Sequence, residues 1–167
     1  NLFSLKTAAL TSFQLLKPEL KKIKLSLENL KTDEAISSLK TINGQIKRIS
    51  SKIKISGLPE LASLLDQIKP GTKEIPGALK NLSLLSDKTL KIAEDLDYLK
   101  NTGADLIFNK RGGEFIGILE KLEKNLDGII KLNSEIKNQS LKLKQFNPGL
   151  ASLSDLLEKN YIPISLN

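Results

Sequence analysis

These 167 residues predict an all-α protein, an elongated up-down-up-down four-helix bundle with two additional short helices. Three observations carry that expectation. Apolar residues recur at steps of three and four almost throughout, the spacing of one helix face. Leu and Ile supply nearly all of them, because Val, Met, Cys and Trp do not occur. Pro and Gly cluster at a few points between long periodic runs, where helices are expected to stop and start. A chain of this length buries a core without staples, so a single domain over 1–167 is expected.

A first helical hairpin is expected over 2–56. Its first arm carries Ala9, Phe13, Leu16, Leu20, Ile23, Leu27 and Leu30 on one stripe, with a kink expected at Pro18. "KTDEA" then reads as a helix start, with Thr32 as the cap and Asp33 and Glu34 at the positive helix end. Ile36, Leu39, Ile42, Ile46, Ile49 and Ile53 continue on one face until Gly57. "KIKIS" alternates with period two, but that short alternation lies within the longer helical stripe and is read as helix. A short helix over 59–69 has Pro59 in its first turn, and 70–76 reads as a linker.

The second hairpin is expected over 76–146. Pro76 opens its first arm, which carries Leu82, Leu85, Thr89, Ile92, Leu96, Leu99, Gly103 and Leu106. "NKRGG", 109–113, is a turn, and the second arm runs from about Glu114 to Phe146. Its seam is Ile118, Leu122, Leu126, Ile129, Leu132 or Asn133, and Ile136. Asn147 and Pro148 cap a last short helix over 149–160, and "YIPISLN" is a tail able to dock in extended form. Helices of about 25–33 residues would be roughly 37–50 Å long.

The composition excludes much chemistry. Without Cys there are no disulfides, thiol nucleophiles or thiolate metal sites. Without His the commonest general base and neutral metal ligand are missing, and Glu-x-x-His di-iron pairs cannot form. Nucleophile elbows and phosphate loops do not occur. The carboxylates Glu94, Asp95, Asp97, Glu120 and Glu123 remain, but adjacent residues on a helix point to different faces. No enzyme, cofactor or metal is therefore expected. Specific nucleic-acid binding is not expected either, because no aromatic residue for base stacking lies between Phe13 and Tyr98.

Charge is distributed unevenly. Residues 1–56 hold 11 Lys/Arg against four Asp/Glu, a net +7, whereas 57–167 hold 15 of each. From 35 to 56 there are five cations and no acid. Lys17, Lys21 and Lys24 share a stripe on the first helix, while Lys40, Lys47 and Lys54 share one on the second, with Arg48 and Lys52 beside it. Merged across an antiparallel hairpin, the stripes would form a basic slab suited to a glycosaminoglycan, an anionic surface or an acidic protein. The competing reading is a solvated face that keeps an apolar bundle in solution. A second candidate contact is the tip "LIFNKRGGEFIG", with Phe108, Lys110, Arg111 and Phe115, although such residues more often pack across a hairpin.

The functional expectation is a non-enzymatic interaction domain, exported or displayed extracellularly at a cell surface, that engages an acidic partner through its first two helices. The alternatives are an amphipathic lipid- or membrane-associating protein and a structural segment of a larger helical assembly. The seams are mostly narrow, widening at Leu84-Leu85 and Ile129-Ile130, which favours helices satisfied by one another. The chain has no Met and no secretory signal, so a trimmed N-terminus is expected, by maturation or by cloning. No stretch approaches the roughly 20 apolar residues of a membrane span. The Lys/Asn/Ile/Leu-rich composition resembles the helical surface lipoproteins of spirochaetes. "KIAEDLDYLKNTG", 91–103, is similar in style to a helix and turn of their decorin-binding group. The resemblance covers about a tenth of the chain and holds no diagnostic motif, so membership is not inferred from it. It would imply a membrane-tethered domain that binds a host glycosaminoglycan or protein, anchored by a cysteine upstream of Asn1.

Overall fold

The computed structural model describes residues 18–19, 21–55, 66–67 and 73–146, without the side chains of 53, 55, 140 and 143–146. The described residues are all-helical, and the helices pack on one another. We label the segment 21–28 α1, Thr32–Ile55 α2, Glu74–Phe108 α3 and Gly112–Phe146 α4. The expectations for residues 2–17, most of 59–69, 70–72, 149–160 and the tail lie outside the described residues, as does Lys17.

α3 is the central element, packing against both α2 and α4. Bonded pairs show the directions of the chain. Thr32 pairs with Asp97 and Asn43 with Asp87, so α2 and α3 run antiparallel. Asn81 meets Glu135 and Gln139 while Tyr98 meets Glu114, so α3 and α4 run antiparallel too. The core between them is built from the expected stripes. Leu39, Ile42 and Ile46 of α2 meet Leu82, Leu85 and Ile92 of α3, and Ile129, Leu132 and Ile136 of α4 close the cluster. Ile23 of α1 joins it. Of the two candidates at 132–133, Leu132 is buried and Asn133 only half-buried. Residues 52–55 are helical.

Several expectations are corrected. Thr32 is not the cap of α2. The Lys31 carbonyl already accepts the first helical bond, from the Ala35 amide at 3.2 Å. Thr32 therefore lies inside the helix, 2% exposed, and its hydroxyl donates to Asp97 at 2.5 Å. Leu30 is not a core residue. It follows the end of α1 with a φ of 54° and is 69% exposed, because the left-handed turn swings it off the stripe. α3 begins at Glu74, with Pro76 within its first turn, where a missing N–H leaves no helical bond unmade. α4 begins at Gly112, earlier than expected.

The register of α2 on α3 has one large consequence. Thr32 stands level with Asp97, yet α3 continues to Phe108 before turning. At 1.5 Å per residue the α3–α4 hairpin overhangs the α1–α2 turn by roughly 15 Å. Within the overhang Leu106 is fully buried, and Leu99, Thr102 and Phe115 are half-buried.

Candidate interaction surface

The sequence of α2 fixes its wet side. Ala35, Leu39, Ile42, Ile46 and Ile49 are buried, so every residue on the opposite arc faces out. Lys40, Lys47, Arg48, Lys52 and Lys54 are all exposed. At 100° per residue, Lys40, Lys47 and Lys54 line one edge of that arc, and Arg48 and Lys52 line the other. Between the edges lie Ser37, Thr41, Gly44 and Ser51, all exposed and small. Sequence reading passed over this pale strip, although its spacing of 37, 41, 44 and 51 is a helical one. Nothing lies within 4 Å of the position a Gly44 side chain would take.

None of the five cations has a hydrogen-bond or ion-pair partner among the described residues. Several cations outside α2 are matched. Lys24 pairs with Glu28 at 3.8 Å, Lys31 with Glu34 at 3.2 Å and Lys142 with Glu74 at 3.2 Å. Lys73 meets Asp66 at 3.0 Å, which holds its ammonium above the ordinary lysine value. The difference arises from sequence: α2 has no carboxylate after Glu34.

α1 joins this surface only in part. Ser26 donates to Glu34 at 3.1 Å across the turn, a register that sets Lys21 level with about residue 39 or 40. Lys21 is exposed, but Lys24 is half-buried and already matched. Lys21 and Lys22 line an open cleft with Pro18, Leu25, Lys31 and Glu34. Glu34 sits below the usual carboxylate range because Lys31 and then Ser26 donate to it.

At the tip, the four residues part company. Phe108 is 82% exposed, with Ile107 and Ile116 exposed beside it, whereas Phe115 is half-buried in the hairpin. Arg111 is clamped, donating to Glu114 at 2.6 Å and to Asp105 at 3.1 Å. Glu114 also accepts from the Tyr98 hydroxyl at 2.6 Å, and that bond, ahead of Arg111, holds its carboxyl low. Lys110 has no partner among the described residues and has a φ of 59°.

The candidate carboxylates are dispersed among the described residues. Asp97 is occupied by Thr32, which lowers its carboxyl, and Glu94, Glu120 and Glu123 face solvent. No group of three or more acidic side chains able to hold a metal occurs among the described residues. No described helix is long and apolar enough to cross a membrane. Compared with known protein families, curated proteins and solved structures, the chain matches none.

Proposed function

We propose that this protein is a non-enzymatic interaction domain, exported or surface-displayed, that engages an acidic partner through the exposed face of α2. In this reading the fold is an up-down-up-down four-helix bundle with two short helices, and Lys21 of α1 adds to one end of the basic face. The observation that carries the reading is the uncompensated face of α2. Its five exposed cations have no acid among them and no partner among the described residues. An uncompensated positive face attracts a polyanionic glycosaminoglycan, an anionic surface or an acidic protein, and that attraction is screened by salt.

The test is titration with heparin at rising ionic strength. Binding at low salt should fall steeply as salt rises. Reversing Lys47, Arg48, Lys52 and Lys54 to Glu should weaken it by at least about tenfold. No binding at low salt, or binding indifferent to salt, overturns the proposal. The lipid-associating alternative is favoured by one observation, the exposed Ile107, Phe108 and Ile116 at the overhanging tip. That reading requires co-sedimentation with neutral vesicles, lost on changing Phe108 to Ser.

A further inference from the structure

The cations of α2 form two rows, and the proportions of those rows limit what they can hold. Lys40, Lys47 and Lys54 make one row, and Arg48 and Lys52 belong to the other. Glu34 lies about five turns before Lys52 on the same side of α2. Ser26 of α1 donates to Glu34, so α1 flanks the row of Arg48 and Lys52. Exposed Lys21 of α1, level with about residue 39 or 40, therefore extends that row, and it too has no partner among the described residues. From Lys40 to Lys54 the rows run roughly 21 Å, whereas a helix with its side chains is only about 10–12 Å across. The arc between them holds no aliphatic or aromatic side chain, only Ser37, Thr41, Gly44 and Ser51. Thr41 donates to the Ser37 carbonyl at 3.1 Å, and the Ser37 and Ser51 hydroxyls have no partner among the described residues.

We infer, resting on the acidic-partner reading above, that this face takes a linear sulfated polysaccharide lying parallel to the α2 axis between the two rows. The competing anions each need something the arc lacks. A bilayer holds a surface helix by an apolar side sunk beneath the headgroups, and no apolar side chain lies between the rows. An acidic protein docks around a desolvated apolar or aromatic centre, equally missing here. Nucleic acids are gripped by stacked aromatic rings or forked arginine contacts, yet four of the five α2 cations are lysines and no aromatic residue lies among them. A sulfated polysaccharide needs none of these. It stays hydrated, and sulfates and hydroxyls recur along one narrow chain. Both have counterparts on α2: the rows of cations attract the sulfates, and the Ser37, Thr41 and Ser51 hydroxyls exchange hydrogen bonds with the sugar hydroxyls.

Isothermal titration of the full chain with size-defined heparin oligosaccharides, from disaccharide to dodecasaccharide, tests the track. Affinity should rise at least about tenfold with length, then level off once the oligosaccharide spans Lys40 to Lys54, because each added sulfate engages a further cation. Lys40→Ala combined with Lys54→Ala removes the two ends and leaves Lys47, Arg48 and Lys52 between them. That variant should keep the affinity for the disaccharide and lose at least about tenfold for the dodecasaccharide. Both side chains are exposed, so its circular dichroism spectrum should be unchanged. Heparin binding that is independent of length, or a variant that weakens short and long chains equally, overturns the inference and leaves an acidic partner in place. So does tighter binding of a DNA duplex, or of phosphatidylserine vesicles, than of the dodecasaccharide at the same salt. Absence of binding to all three probes overturns the acidic-partner reading itself.

Discussion

The turn at 29–31 and the turn at 109–111 are built alike. Each preceding helix is followed by an asparagine, Asn29 or Asn109, and then by a residue in the left-handed region, Leu30 or Lys110. In each the next amide reaches back to close the helix end, Lys31 to the Ser26 carbonyl at 2.7 Å and Arg111 to the Leu106 carbonyl at 3.0 Å. In each that same residue pairs with a glutamate three positions on, Glu34 or Glu114. The surroundings differ. The first turn rests on α3 through Thr32 and Asp97, whereas the second overhangs and depends on its own clamp of Arg111, Asp105, Glu114 and Tyr98. Local chain chemistry thus forms the turn, and tertiary register decides whether it is anchored or presented.

The largest test of that difference compares two fully buried leucines. Leu39→Ala, in the shared core, should cost about 2–5 kcal/mol and lower protection from hydrogen exchange everywhere. Leu106→Ala should fall at the lower end of that range, because a two-helix overhang collapses or frays locally. Its lost protection should be confined to about residues 99–118. Uniform loss in both variants would mean that the overhang is not a separate unit.

Acid provides the next test. Asp97, Glu34 and Glu114 all have carboxyls held below their ordinary values, by Thr32, Lys31 and Tyr98 respectively as the leading cause. A carboxylate whose value is lowered by folding contributes stability that is present above its unfolded value, near about 4. That contribution disappears as pH falls through the lower folded value. The melting temperature should therefore be flat from neutral pH to about 5 and decline below about 4. Thr32→Val should flatten the acid decline in melting temperature by returning Asp97 towards its ordinary value, and Tyr98→Phe should flatten the acid decline in hydrogen-exchange protection of the overhang through Glu114. The Thr32 effect should be global and the Tyr98 effect local to the overhang. Equal acid declines in the variants and the parent would show that these bonds do not carry the linkage.

Much of the fold was legible because burial follows the helical period. Leu39, Ile42, Ile46, Leu85, Ile92, Ile129 and Ile136 all fall where the stripes place them. Leu30 was misread because a stripe continues in sequence past the point where the backbone leaves the helix. Thr32 was misread because its partner lies 65 positions away, and local pattern contains no trace of Asp97. The overhang was hidden for the same reason, since it depends on the register of α2 against α3. At the candidate site the five α2 cations were legible from the missing acids alone. How far α1 contributes was not, because the Ser26–Glu34 register decides where Lys21 stands along α2.

The smallest effect probes what the two turns share. Non-glycine residues in the left-handed region are strained by the contact between their Cβ and the backbone, about 1 kcal/mol or more each. Leu30→Gly and Lys110→Gly remove that strain, against the greater chain entropy that glycine brings to the unfolded state. Leu30 is already largely exposed, so little buried surface is lost with it. Each variant should gain a few tenths to about 1 kcal/mol. If the turns are alike in mechanism, the intrinsic gains should match, but they should be read differently. Stabilising the anchored turn raises global stability, because Thr32 couples it to α3. Stabilising the presented turn should slow exchange mainly in the overhang and leave the global melting temperature nearly unchanged. A Lys110→Gly variant that raised global stability as much as Leu30→Gly would show the overhang to be coupled to the core after all.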